Sequence, residues 1–358
     1  FINKRIKFIM AYTTINKSSS FQNQVLYTGN GSTQSVTGVG FQPDWTWCKQ
    51  RNTARNHGLF DAVRGVTKIL YSNDASGQGT AATSLTSFNS DGFSCGGETE
   101  TNQNGGTYVS WNWKAGTAVS GNTSGSGTYK TYTGSVNTTS GFSIIKYVGN
   151  GTAGHTIPHH LGTANIGSIF VKNLDSGSDY WYSYHKPLGA TKTLILNETD
   201  AAGTNTMWNN TAPTSSVFSV GALSGSNSNN ANYIAYIFTD TTGYCKTGSY
   251  IGNGNDDGAF VYTGFKPAFV MVKITAGQTD NWIMQDNKIN SFNGASSQRL
   301  RPNSSGAEFS SSNEIDLLSN GFKTHGADGE INGSGFSYIY MAFGQSLVGT
   351  NNIPNNAR

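Results

Sequence analysis

The chain has 358 residues, and only 12% of them are Asp, Glu, Lys or Arg, about half the roughly 25% of ordinary globular proteins, so solubility rests on uncharged polar groups. Its 45 Gly and 7 Pro follow no three-residue period, which excludes collagen and proline-rich spacers, and its 7 Trp, 17 Tyr and 19 Phe supply too much aromatic surface for a disordered chain. The net charge of +3 comes from Lys4, Arg5 and Lys7; the remainder carries 20 basic and 20 acidic residues, leaving no charge field to draw nucleic acid.

Met10-Ala11-Tyr12-Thr13 reads like a natural start, so residues 1–9 are expected to be a leader or added residues. Their apolar run is too short for a signal-peptide core and no small-residue cleavage site follows, so synthesis in the cytoplasm without a signal peptide is expected. No run of about 18 apolar residues predicts a membrane-spanning helix, and no membrane insertion is expected. Cys48, Cys95 and Cys245 are odd in number and widely spaced, which reads as free thiols rather than a disulfide scaffold or a zinc site.

Along the chain one unit recurs three times. Tyr27-Thr28-Gly29-Asn30-Gly31 returns as Tyr147-Val148-Gly149-Asn150-Gly151 and as Tyr250-Ile251-Gly252-Asn253-Gly254. A strand-like run ending in lysine follows each: Trp45-Thr46-Trp47-Cys48-Lys49, Ile169-Phe170-Val171-Lys172 and Val270-Met271-Val272-Lys273. Then comes a glycine turn at Phe88–Phe93 and Leu318–Phe322, with Phe218–Gly221 as the weak middle copy, and an aromatic strand closes each unit, from Tyr108 to Trp113, from Tyr233 to Phe238 and from Tyr338 to Phe343. Gly29 and Gly149 stand 120 residues apart, and Gly149 and Gly252 stand 103 apart, a domain period rather than a solenoid period.

Short β-branched and aromatic runs, bounded by Gly, Asn, Asp and Ser and without helical spacing, predict an all-β chain. Gly and Asn provide the positive φ of tight turns. The expected architecture is three tandem antiparallel β-sandwich domains, of jelly-roll or concanavalin-like type, at 10–116, 143–240 and 250–346. A Gly/Ser/Thr-rich linker is expected at 117–142, a short linker at 241–249 and a C-terminal tail at 347–358.

Chemistry-bearing constellations are sparse. No Gly-x-Ser-x-Gly elbow presents a nucleophile, and among the acids Asp61, Asp91, Glu98 and Glu100 nothing singles out a glycosidase pair. No acid recurs in all three units, so no catalytic residue and no cofactor site is assigned. Oxygen-rich turns at Asn253–Gly258 and Asn73-Asp74 could hold Ca2+ or be ordinary Asx turns. Tyr180, Trp181, Tyr182 and Tyr184 form the densest aromatic cluster; they offer either a face for a glycan or receptor, or core positions, with Trp181 equivalent to Trp282. Arg51, Arg55 and Arg64 make the first unit locally basic and are candidates for a docking surface.

The runs from Gly40 to Arg51, Leu59 to Gly65, Ser87 to Phe93 and Tyr108 to Gly116, with Tyr262 to Lys273 and the closing Ile353-Pro354-Asn355-Asn356-Ala357-Arg358, resemble a family of virion proteins common in marine tailed bacteriophages. That resemblance covers nearly everything after Met10 and implies β-sandwich domains of tail-fibre-like or structural type, with no catalytic residues. The expected function is therefore a non-enzymatic protein of the virion exterior, a tail fibre, appendage or capsid decoration. Its expected partners are other virion proteins, further copies of itself and a host-surface glycan or receptor. The alternatives are a lectin-like carbohydrate-binding module and a glycan depolymerase. Low charge suits adhesion at short range, since steering is screened within about 8 Å in salty water.

Overall fold

Strands form where apolar side chains can be covered, and Gly turns them around. In the computed structural model, which describes residues 13–294, 296–312 and 315–347, the chain is all-β apart from single turns of helix, and its sheets are antiparallel and sandwich-like. In the first unit a large sheet sets side by side the strands Gln22–Thr28, Thr107–Trp113, Trp45–Gln50, Gly58–Asp61, Lys68–Tyr71 and Gly79–Thr80. The second unit repeats that order with Phe142–Val148, Asn232–Thr239, Ile166–Asn173, Trp181–His185, Lys192–Ile195 and Gly203–Thr204. The third has Cys245–Ile251, Ser337–Gly344, Pro267–Ala276 and Ile283–Asp286, and a bridge from Met284 to Leu300 attaches the hairpin of Ser297–Arg299 and Phe309–Ser311 in the fifth and sixth places.

A second sheet of three strands accompanies each large one: Gln34–Val36, Gly92–Cys95 and Leu85–Asn89; Ser124–Gly125, His155–Pro158 and Val217–Val220; Phe260–Tyr262, Gly321–Thr324 and Ile315–Leu318. Each unit has an apolar core of its own, with Phe60, Ile69 and Phe93 in the first, Ile157, Ile169 and Phe218 in the second, and Val261, Val270 and Phe322 in the third.

The opposite faces of the three large sheets share one further core. It gathers Trp45, Trp47, Trp111 and Trp113 with Phe142, Phe170, Trp181, Tyr236 and Phe238, and with Phe269, Met271, Trp282, Met341 and Phe343. Trp45 stacks on Tyr236 with ring centres 4.3 Å apart, and Phe343 meets Trp113 and Phe238 edge-on, each at 5.7 Å. Strands such as Trp45–Gln50 and Ile166–Asn173 are therefore buried on both faces along their whole length, polar residues such as Thr46, Lys49, Ser168 and Lys172 included. The three unit cores are thus joined by a fourth that all three units share.

The expected linker at 117–142 is mostly strand. Thr117–Asn122 and Thr131–Asn137 pair with each other, the latter also joins Phe142–Val148 to extend the second large sheet, and Ser124–Gly125 pairs with His155 and Thr156. Close packing explains a glycine here: a Cβ on Gly134 would stand 2.4 Å from the Ile144 carbonyl oxygen, while Tyr132 and Val136 point into the core. The expected linker at 241–249 is a turn that leads directly into Cys245–Ile251. The leader at 1–9 and the tail after Leu347 lie outside the described residues. The first and last described segments meet, with Leu347 N–H donating to the Asn16 carbonyl at 3.0 Å and Ser19 N–H to Ser346 Oγ at 3.1 Å.

Candidate functional site

The recurring lysines stand where the units join. Lys49, Lys172 and Lys273 are fully buried at the same place in their strands. Lys49 Nζ donates to the Arg55 carbonyl of its own unit at 2.8 Å and to Ser305 of the third unit at 3.1 Å. Lys172 donates to Asp179 of its own unit and, at 2.6 Å, to Ala75 of the first; Lys273 donates to Asp280 of its own unit at 2.8 Å and to Thr199 of the second at 2.9 Å. Burial pushes each ammonium down to about 8. The direction is cyclic: one grips three, two grips one, three grips two.

Two more sets of contacts run the same way round. Trp181 Nε1–H donates to the Tyr71 carbonyl at 2.8 Å and Trp282 Nε1–H to that of Ile195 at 3.0 Å, while their backbone N–H groups are held by Asn197 and Asn303. His57 takes this place in the first unit, its N–H on Asn73 Oδ1 and its Nδ1 accepting from Trp47 Nε1 at 2.9 Å. The other ring nitrogen faces the carbonyls of Arg301 and Ser304, and burial holds His57 well below the usual histidine range. Further along, Trp111 Nε1–H reaches Asp286 of the third unit at 2.9 Å and Tyr236 O–H reaches Asp61 of the first at 2.7 Å. The third unit meets the second through Met341 Sδ, which accepts from Ser168 Oγ, and through the Tyr340 carbonyl, 3.0 Å from His185 Nε2. Such a cycle closes only if three units stand round a common axis.

The Tyr-x-Gly-Asn-Gly turns are staples inside each unit. Tyr27, Tyr147 and Tyr250 stack on Tyr108, Tyr233 and Tyr338 at 5.1, 5.1 and 4.9 Å. Asn102, Asn227 and Asn332 accept the backbone N–H of Asn30, Asn150 and Asn253 and donate to the carbonyls of Gly96, Gly221 and Gly326. At Gly149 no Cβ fits, because the Ser228 carbonyl oxygen would lie 2.4 Å from it.

The aromatic cluster does not form a sugar face. Trp181 and Tyr184 are buried, the first in the shared core and the second against Trp208, Tyr182 is half-buried against Gly225, and Tyr180 alone is exposed. Trp181 and the tyrosines alternate between opposite faces of the strand, and both faces are covered. The arginines face inward as well: Arg51 forks onto Glu308 of the third unit at 2.6 and 2.9 Å, the Arg55 backbone bonds to Ser305, and buried Arg64 pairs with Asp61. They dock the first unit on the chain's own third unit and brace Asp61 against the second. In the oxygen-rich turns, Asn253 Oδ1 accepts from Asn255 and Asn332, Asp257 pairs with Lys323, and Asp74 Oδ1 caps Ser76, so these oxygens serve the fold.

Clefts open where one unit hands over to the next. Between the first and second, a cleft of about 470 Å³ is walled by Ala62, Val63, Ala118 and Val119 around Asp44, whose carboxylate accepts from Ala115 N–H at 2.9 Å and Ser135 Oγ at 3.2 Å. Between the second and third, a polar cleft of about 290 Å³ is lined by Asn165, Lys186, Asp240, Thr242, Lys246 and Tyr262 among others. Asp240 Oδ1 accepts from both the N–H and the hydroxyl of Thr247 at 2.7 Å, and its Oδ2 lies 3.6 Å from Lys186 Nζ, which Asn165 Oδ1 also holds. Gly167 permits this, since a Cβ there would stand 2.6 Å from the Thr247 hydroxyl. No helix among the described residues is long and apolar enough to cross a membrane.

Residues 17–346 match one family, described as Domain of unknown function (DUF7483), and the chain belongs to it. Comparison with curated proteins and with solved structures returns no match.

Proposed function

For a member of this family we propose a non-enzymatic role on the exterior of a bacteriophage particle, as a tail fibre, appendage or capsid decoration that builds the surface and adheres to a host glycan or receptor. In this proposal each pair of large and small sheets is one jelly-roll or concanavalin-like sandwich, and the three sandwiches work as one rigid body carried in several copies. The motifs that resemble those of tailed-phage surface proteins support it. The observation that carries it is that the recurring residues, the three lysines, the tryptophans and the Tyr-x-Gly-Asn-Gly turns, are all consumed in holding the body together. What differs between units is left to the loops and junctions, the arrangement of a scaffold that displays. Multiple copies would turn weak contacts into avidity.

The test is a cryo-EM map of intact particles at side-chain resolution, with the chain located by its tryptophan-rich centre. Density on the tail supports adhesion and density on the shell supports decoration; absence of the chain from particles overturns the proposal. A lectin-like reading gains weight from the exposed Tyr262 beside the polar cleft.

A further inference from the structure

We infer that the cleft between the second and third units is a saccharide-binding site and that its sugar carries a carboxylate, an assignment that rests on the adhesive role proposed above and says where contact is made. Sugar recognition needs an aromatic face for the C–H side of a ring and fixed polar groups for its hydroxyls. Tyr262 supplies the face, 62% exposed at the end of the edge strand Phe260–Tyr262. This aromatic is peculiar to the third unit. The inward residues Val36, Ile157 and Val261 all pair with phenylalanines, which makes them equivalent, and the next residue is Thr37 in the first unit, Pro158 in the second and Tyr262 in the third.

The polar groups are held in advance of any ligand. Lys186 is fixed by Asn165 and Asp240, and Asp240 by two hydrogen bonds from Thr247, so little side-chain entropy remains to be lost on binding. The volume of about 290 Å³ is near the lower end of ligand pockets, roughly 300 Å³, and suits one sugar residue more than a chain. Charge sets the class of sugar. Among the described lining residues the single carboxylate is committed to Thr247 and Lys186, while Lys246 adds a second cation, so these side chains are positive by one charge and complement a uronic or similar acidic sugar. Among its described lining residues the cleft between the first and second units has neither an aromatic nor a cation, and it serves as an internal comparison.

The experiment is saturation-transfer NMR on the whole protein with galacturonic acid and galactose as paired probes, followed by titration of the Tyr262→Ala and Lys246→Gln variants. The acidic sugar should bind more tightly than galactose, Tyr262→Ala should weaken both at least tenfold, and Lys246→Gln should bring the two affinities together. Because Tyr262 and Lys246 lie outside the cores, an unchanged unfolding midpoint will show that the variants are folded. No transfer to either sugar, or undiminished binding by Tyr262→Ala, overturns the site; equal binding of the two sugars by the wild type overturns the carboxylate. Sugar bound by a protein absent from particles would sink the virion role and leave the site standing, and a particle protein that binds neither sugar would do the reverse.

Discussion

Lys172 ends a strand of the shared core with a cation whose hydrogen bonds go to two backbone carbonyls, Ala75 across the junction and Asp179 within its unit. Replacing it by methionine leaves both oxygens without that donor, at about 1–3 kcal/mol for each unsatisfied group. Lys172→Met should therefore lose at least about 2 kcal/mol of stability at pH 7, read from urea unfolding. The pH dependence has a definite sign. Folding lowers the lysine from 10.5 to about 8, so between those values the unfolded chain binds more protons and stability rises with pH. Lys49 and Lys273 act the same way. Burial raises the thiols of Cys48, Cys95 and Cys245 and the phenols of Tyr147 and Tyr236, which retain their protons in the fold after unfolded cysteines ionise near pH 9 and unfolded tyrosines near pH 10, and this first blunts and then reverses the trend. The wild-type urea midpoint should climb from pH 7 to pH 9, with a smaller climb in Lys172→Met; a flat or falling wild-type profile would contradict the assignment.

At the scale of the element, the Tyr-x-Gly-Asn-Gly turn and the segment that staples it behave as one piece. Asn227→Ala removes an acceptor for Asn150 N–H and donors to the carbonyls of Thr152 and Gly221. Its expected cost is about 2–4 kcal/mol, from loss of several buried hydrogen bonds, with faster hydrogen exchange at 149–152 and 221–227 but not in the matching turn of the third unit. The turns, the lysine-ended strands and the aromatic closing strands were legible in the sequence because their patterns are local. Asn227 was not, although an asparagine six residues before the closing tyrosine recurs at Asn102, Asn227 and Asn332, as does one three residues after Leu70, Leu194 and Leu300. In loops an asparagine looks like turn composition, and these act on partners brought in from other segments. The same limit applies to Trp181: alternation says which side of the strand it occupies but not that a neighbouring unit covers it. Residues 117–142 read as a linker because their small residues mask the inward pair of Tyr132 and Val136.

At the scale of the whole molecule, the shared core makes one folding unit out of three repeats. Trp111 packs at its centre against Trp47 and Phe269 and donates to Asp286, and Trp111→Ala should cost about 3–5 kcal/mol. Calorimetry should show one transition for wild type and variant alike, with equal calorimetric and van 't Hoff enthalpies; three resolved transitions would refute a common core. Residues 143–240 alone should not fold, since Phe170, Trp181, Tyr236 and Phe238 would face water. A protease that nicks the exposed turn around Tyr129 should leave the body intact under native conditions, because the strands on either side are held in the sheet.

The meeting of Ser19 with Ser346 means that the ring of units has no privileged opening. A gene that joins those two ends through a short bridge and begins instead after the turn at Gly243 would thread the units in the order three, one, two. By this geometry the permuted chain should recover the same centre, and order of synthesis and final architecture would then be separable properties of this protein.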